Sequence, residues 1–391
     1  MAGRGGEPDP GGRPRALVVA ARPPWPPYTG DRLRTGVWVQ ALAPHADVTL
    51  IAPPPALPTL SPHRRVVLEP AVTLLPWHAL RAVRRRWPLT SLLAAGRAWR
   101  AAFDQAGRGG PPFEVTVVVL ARTHPWVAPH LRSPRRILDA IDSLAANLSE
   151  RARAAAGPAR WFWRREAART ARLEEEVLRF YHRVTVVAEE ERVHFRGPVA
   201  VAGHGVELLP AGNIPRDIDF AFWGRLGYFA NQDAALLLLR ELWPAIRVRL
   251  PHATLVVAGA DCPPALRRFD GRDGVSVVSP MGDRPALLRR VKVALFPVRY
   301  GSGQPNKVLE AAEASCAIVS TPAGARGIGP LAEAVVVTPL EELVEAAVAL
   351  TRDEVRCADL GRRARQLVAA HFDRRAALAR LAHLAGVGPP L

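Results

Sequence analysis

The chain predicts an α/β protein built from doubly wound parallel sheets, and three observations carry that prediction. Short apolar runs rich in Val, Ile and Leu recur from Arg15 to Thr321; helical stretches separate most of them; and glycine- or proline-containing turns follow several at their carboxyl ends. At 391 residues the chain is long enough for two domains, each with its own core.

Arg15 to Ala20 (RALVVA) reads as the first strand. After RPPWPPYTGD comes a helix from about Asp31, with Leu33, Val37, Val39 and Leu42 on apolar positions, so Thr29, Gly30 and Asp31 stand at a helix N-terminus directly after that strand. Further strands fall at Val48 to Ile51, Arg65 to Leu68, Val115 to Leu120, Arg136 to Ile141 and Val184 to Val187. Between the third and fourth, Arg81, Arg84, Arg85 and Arg86 stand beside Trp77, Trp87 and Trp99; this basic segment is either a solvated helix face or one that lies on an anionic membrane surface. The segment LARTHPWVAPH puts His124 in a loop at the carboxyl end of the fourth strand. Asp139 and Asp142 end the next strand, and Asp142 either binds hydroxyls of a ligand there or, the simpler reading, caps the helix that begins at Ser143. Residues 143–183 read as one or two amphipathic helices, and 208–216 as a linker.

The second domain opens with a strand from Ile218 to Phe222 that ends at Gly224 and Arg225, followed by a helix starting near Asn231. Strands at Thr254 to Ala258, Val275 to Val278 and Val293 to Val298 follow, with Asp283 as a helix cap in SPMGDRPALL. The stretch RYGSGQPNKVLEAAEASCAIVSTPAG then gives a Gly-rich turn (Gly301, Ser302, Gly303), a helix carrying Lys307 and Glu310, a strand from Ala317 to Thr321 and a second turn, Pro322 to Gly324. In open α/β sheets ligands sit at the carboxyl ends of the strands, where glycines admit close backbone approach and a helix N-terminus attracts negative charge. A phosphate is therefore the expected ligand. Asp217-Ile218-Asp219 has the form of a DxD metal motif but precedes its strand, on the opposite side of the sheet, so no metal site is assigned.

Composition narrows the class. No apolar run approaches the ~18 residues of a membrane span. Residues 1–14, rich in Gly, Pro and Arg, read as a disordered tail rather than a signal peptide. Three widely spaced cysteines argue against a disulfide framework or a metal cluster and fit a reducing cytoplasm. The net charge of +17 comes almost wholly from arginine and reflects either biased composition or attraction to an anion; nucleic-acid binding has no aromatic-basic motif behind it.

NKVLEA, STPAGARG and the preceding RYGSG turn resemble the C-terminal half of the retaining, sugar-nucleotide-dependent glycosyltransferases of the GT-B class known as family four, and GRLGYFANQDA resembles a subgroup with the same turn. The likeness extends more loosely from Arg15 to about Phe372. It implies two Rossmann-like doubly wound domains facing a central cleft: an acceptor-side domain (15–207), a nucleotide-sugar domain (217–372) and a last helix (373–391) crossing back to the first. It implies sugar transfer from a nucleotide diphosphate sugar to a hydroxyl acceptor, with retention, without a metal and with no cofactor beyond the donor. On the matching positions, Lys307 and Arg225 take the diphosphate, Glu310 the ribose hydroxyls, and the backbone of Ser302, Gly303 and Gln304 the sugar or phosphate. Gly224 leaves room for the phosphates, Met281 and Gly282 border the base, Gly30 passes close to the diphosphate or the acceptor, and His124 hydrogen-bonds the transferred sugar. Ser302 stands where many members carry a first Glu, and His204 and Glu207 replace other usual residues. A GT-B-shaped sugar-nucleotide epimerase and a non-catalytic binding partner are the rival expectations.

Overall fold

The computed structural model describes residues 12–25, 29–53, 64–68, 76–95, 98–108, 110–210, 214–300 and 305–390. The chain forms two compact units, one comprising residues 1–186, 192–202 and 378–391, the other 187–191 and 203–377. The change of unit at 202/203 lies ahead of the expected linker. Within 208–216, the Leu209 N–H donates to Glu313 and the Leu209 carbonyl accepts from Arg365, which ties this part of the stretch to the second unit; residues 211–213 lie outside the described residues.

The first unit is a seven-stranded parallel sheet of β1 (Arg15–Val19), β2 (Asp47–Ala52), β3 (Arg64–Leu68), β4 (Val115–Val119), β5 (Arg135–Ile141), β6 (Arg183–Val186) and β7 (Ala200–Val201), in the order β3-β2-β1-β4-β5-β6-β7. Its helices are α1 (Gly30–Leu42), α2 (Pro76–Arg84), α3 (Trp99–Gly107), α4 (His124–Val127), α5 (Leu144–Ala154) and α6 (Gly157–Phe180). Alternate strand residues sort to opposite faces, because side chains along a strand repeat every two positions. Ala16, Val18, Leu50, Val115 and Val117 pack with Val37, Trp38 and Leu42 of α1, while Leu17, Val19, Ile51, Val118 and Leu138 pack with Trp99, Trp126, Leu173 and Val177.

The second unit has six parallel strands: β8 (Ile218–Trp223), β9 (Leu255–Ala258), β10 (Val275–Val278), β11 (Val291–Phe296), β12 (Ala317–Ser320) and β13 (Val335–Val337), ordered β10-β9-β8-β11-β12-β13. Around them stand α7 (Phe229–Leu237), α8 (Trp243–Arg249), α9 (Pro264–Arg267), α10 (Arg284–Arg289), α11 (Asn306–Glu313), α12 (Leu343–Arg352) and α13 (Glu354–His371), and α14 (Arg374–Leu384) ends the helical chain. Strands β7 and β13 are additions to the sequence reading. Strand β11 is displaced by two residues from its expected bounds, because the Val298 N–H turns back onto the Phe296 carbonyl at 2.9 Å and ends the ladder there. Among the described residues no helix is long and apolar enough to cross a membrane.

Two buried carboxylates organise the first unit. Asp139, fully buried in β5, accepts from Arg34 and Trp38 of α1 and, at 3.1 Å, from Thr185 of β6. It is a structural counter-ion inside the sheet rather than a ligand residue at the strand's end. The cap of α5 also differs from expectation: Ser143 accepts from the Ala146 N–H at 3.1 Å, while Asp142 accepts from the Asn147 amide. Ser143 in turn donates to Glu174 of α6 at 3.0 Å, and the other Glu174 oxygen accepts from the Ala145 N–H at 3.1 Å, so one helix side chain completes the start of the other.

Truncating Asp139 to Ala leaves the Arg34 guanidinium without its buried carboxylate and should lower stability by about 3–5 kcal/mol in urea unfolding. Burial raises the Glu174 carboxyl from its ordinary 4.5 to about 7 despite these hydrogen bonds. The folded chain therefore holds a proton that the unfolded chain releases, and this contribution to stability is lost as pH rises from about 4.5 through 7. Glu174→Gln escapes that loss and should gain on the wild type by about 3 kcal/mol across the window, read from unfolding midpoints at pH 4.5 and pH 8.

Candidate active site

In the second unit the strand order reverses between β8 and β11: the chain proceeds from β8 toward β9 and β10, and from β11 toward β12 and β13. A crevice at the carboxyl ends of two such strands is where doubly wound sheets bind ligands. Gly224 follows β8 with φ +149°, and a Cβ there would lie 2.8 Å from the Asn231 amide nitrogen. Gly259 follows β9 with φ +157°, where a Cβ would fall 1.6 Å from the Gly224 carbonyl oxygen. Only glycines let these two turns nest.

Asn231, in the first turn of α7, joins this turn to the helix across the crevice. Its amide donates to the Arg225 carbonyl at 3.1 Å, and its oxygen accepts from the Lys307 Nζ at 2.7 Å. Lys307, the second residue of α11, lies over the Phe222 and Phe296 rings, 5.0 and 5.7 Å from their centroids. Burial pulls its amine from the ordinary 10.5 down to about 8, opposed by the charge of Glu310. Glu310, one turn further along α11, accepts from the indole N–H of buried Trp223 at 2.8 Å and from Arg284 at the start of α10. Arg225 is half-exposed and held by Asp261 at 2.6 Å.

Five of the expected ligand residues therefore belong to this unit's carboxyl edge: Gly224, Arg225, Lys307 and Glu310 at the β8/β11 reversal, and Gly282, which precedes α10 with φ +65°. Met281 packs partly buried against the unit's core beside it. Asp283 caps α10, accepting from the Ala286 N–H. Ser302, Gly303 and Gln304 lie outside the described residues. Asp217 and Asp219 lie at the opposite, amino end of β8, paired with Arg290 and Lys292 at 2.6 and 2.8 Å.

Gly30 and His124 belong to the first unit. Gly30 opens α1, and a Cβ on it would meet nothing within 4 Å, so its backbone is uncovered; Asp31 beside it pairs with Arg22 at 3.4 Å. His124 corrects the loop expectation: it is the first residue of α4, only 2% exposed, with Nδ1 at 3.1 Å from the Tyr181 hydroxyl and Nε2 at 3.5 Å from Glu176. Apolar Trp126 and Val127 draw the short helix into the core, and both imidazole nitrogens are engaged there. The basic segment between β3 and β4 divides: Trp99 is buried and Trp87 packs edge-on to Trp126, while Trp77 on α2 is 46% exposed.

Sequence reasoning missed Asn231, Trp223, Arg284 and Gly259. Asn231 was visible inside GRLGYFANQDA only as a helix start, and Trp223 only as the residue before a turn glycine.

With this geometry in view, the comparisons fall on the same region. Residues 217–353 match the glycosyl transferases group 1 family. The match spans both strands of the reversal and Lys307 and Glu310. No curated protein matches the chain. Among solved structures, sucrose-phosphate synthase (tll1590) from Thermosynechococcus elongatus aligns with a TM-score of 0.71 at 16% identity over 95% of this chain and 98% of that one. HepE from Anabaena, solved in complex with UDP-glucose, aligns with a TM-score of 0.65 at 13% identity over 95% and 99%. WaaG, described as a glycosyltransferase involved in lipopolysaccharide biosynthesis, gives 0.66 at 13% identity over 95% and 100%. At these identities the likeness establishes the fold, an α/β protein of two Rossmann-like domains.

The two lysines of the chain make the site's electrostatics measurable without a ligand. Lys292, hydrogen-bonded to Asp219, is held above the ordinary lysine value, whereas burial brings Lys307 to about 8. Competitive acetylation followed by peptide mass spectrometry should show Lys307 labelling half-maximal near pH 8 and Lys292 labelling only at distinctly higher pH. Asn231→Asp should move the Lys307 midpoint upward, because a carboxylate 2.7 Å away favours the ammonium.

Proposed function

We propose that the protein is a glycosyltransferase that moves a sugar from a nucleotide diphosphate sugar to a hydroxyl acceptor, with retention and without a metal. The observation that carries this reading is Lys307: a partly buried ammonium at the strand-order reversal whose hydrogen-bond partner is the neutral Asn231 oxygen. The match of residues 217–353 to group 1 glycosyl transferases supports it, as does the fold shared with HepE, whose structure holds UDP-glucose.

In such a transfer the bond from the sugar's C1 to the diphosphate oxygen is largely broken in the transition state, and negative charge grows on the departing diphosphate. Lys307 meets that charge with a desolvated ammonium, and Arg225 adds a guanidinium at the neighbouring turn. Neither has to reorganise far: Asn231 fixes Lys307 and Asp261 fixes Arg225. In this reading Glu310 accepts from the ribose hydroxyls. Trp223 holds one of its oxygens at 2.8 Å and so orients the carboxylate, while Arg284 couples it to α10, which follows the Met281-Gly282 turn assigned to the base. The departing phosphate takes the acceptor's proton, and the new glycosidic bond forms on the face it leaves.

A thermal-shift panel of nucleoside diphosphates and their sugar conjugates identifies the donor, since a ligand at ~100 times its Kd stabilises by about 2.7 kcal/mol. With that donor, Lys307→Ala and Glu310→Ala should each lower turnover at least about tenfold, toward the ~100- to 1,000-fold typical of a lost charge-stabilising donor, with the far-UV spectrum unchanged. Near-normal transfer in both variants overturns the assignment. Formation of an epimerised sugar nucleotide without any acceptor makes the protein an epimerase instead.

A further inference from the structure

A groove of about 880 Å³ opens between α5 and α6 of the first unit, within the ~300–1,000 Å³ usual for small-molecule sites. Its walls are largely alanine: Ala152 and Ala167 are buried, and Ala168 and Ala171 face the opening. Leu178 and Phe195 add larger apolar surface. The polar side chains on these walls have partners of their own. Ser143 and Glu174 bond to each other, and the Ser149 hydroxyl donates to the Ala145 carbonyl at 2.8 Å. The interior therefore offers methyl groups to an occupant.

The rim is cationic. Arg153, Arg160 and Arg164 border the groove, and none of the three makes an ion pair among the described residues; Arg160 donates only to the Ala155 carbonyl. Arg196, also on the rim, is compensated by Glu175 at 3.1 Å. Exposed arginines elsewhere include paired ones, such as Arg249 with Glu345 and Arg290 with Asp217, and ones without an ion pair among the described residues, such as Arg84 and Arg85; what distinguishes these three is that they border one apolar groove. Trp161, 65% exposed on the same stretch of α6, stands one residue from Arg160 with the Arg165 guanidinium over its ring. An apolar trough bordered by three uncompensated guanidiniums is complementary to a molecule with an apolar chain and an anionic end. Free phosphate would leave the alanine walls uncovered, and a neutral chain would leave the arginines without a counter-charge.

We propose that the α5–α6 groove is a binding site for an anionic amphiphile, its single apolar chain against the alanine walls and its phosphate or carboxylate head at Arg153, Arg160 and Arg164. None of these residues contributes to the donor site, so the proposal does not rest on the assignment of that site.

Titration calorimetry of the full chain with dodecyl phosphate below its micellar concentration tests it, with inorganic phosphate and dodecyl maltoside as the head-only and chain-only probes. One equivalent of dodecyl phosphate should bind, and both partial probes should bind at least about tenfold more weakly, a difference of about 1.4 kcal/mol or more. Arg160→Glu with Arg164→Glu should weaken dodecyl phosphate about tenfold or more, and Ala168→Trp, which fills the groove from an exposed position, should do the same with the far-UV spectrum retained. Lys307→Ala should bind dodecyl phosphate as the wild type does. Equal affinity for dodecyl maltoside reduces the site to a greasy surface, and equal affinity for inorganic phosphate reduces it to an anion contact; either overturns the proposal. Undiminished binding in both the Arg and the Ala168 variants places the amphiphile elsewhere and overturns it as well.

Discussion

The contact on which the second unit's site depends is the one between the Lys307 ammonium and the Asn231 oxygen. Other basic groups of that unit have found carboxylates, among them Arg225 with Asp261, Arg290 with Asp217, Lys292 with Asp219 and Arg299 with Asp233. Lys307 instead has a neutral oxygen at 2.7 Å and two aromatic faces. The fall of its amine from 10.5 to about 8 corresponds to about 3 kcal/mol held against the charged form. An anion placed at this position would offset that penalty by favouring the ammonium.

The geometry around that ammonium follows from the sheet. Parallel strands β8 and β11 are neighbours because the winding reverses between them, so Phe222 and Phe296 come from strands on either side of the reversal and together floor the lysine. Gly224 gives Asn231 the space to reach across, and Gly259 gives Gly224 the space to turn. A side chain at either glycine would push the amide from the ammonium and leave a desolvated charge with nothing to accept its hydrogen bond. The stringency at these turns thus comes from the lysine as much as from a ligand.

How much of this was legible in the sequence depended on how local each signal was. Strand β4, VTVVV, is buried at all five positions, and its β-branched run announced it; β7 and β13, two and three residues long, carry no pattern that periodicity could detect. Lys307 and Glu310 were readable because they share one helix with a family-like motif. Asn231 and Trp223 reach them across 76 and 87 residues of sequence, and Arg284 across 26, so their roles exist only once the strands are side by side. His124 misled because Pro125 and the neighbouring histidines look like loop composition, whereas Trp126, Val127 and Leu131 bury the segment. Asp139 was legible only as a carboxylate near a strand's carboxyl end, because its partners Arg34 and Trp38 lie more than 100 positions away.

The same logic separates the arginines that the overall charge could not. A surplus of +17 says only that many guanidiniums lack a carboxylate, and composition alone spreads that surplus evenly over the surface. Its structural distribution is uneven. Arg34 is consumed by Asp139 inside the first unit, and Arg216 by the carbonyls of Ala314 and Val291 in the second. Arg153, Arg160 and Arg164 are instead gathered on one groove whose interior offers methyl groups. Clustering like charges costs repulsion, which an even spread would avoid. What singles this cluster out is the apolar trough it borders: three guanidiniums around methyl-lined walls are complementary to an occupant that carries both a counter-charge and an apolar chain.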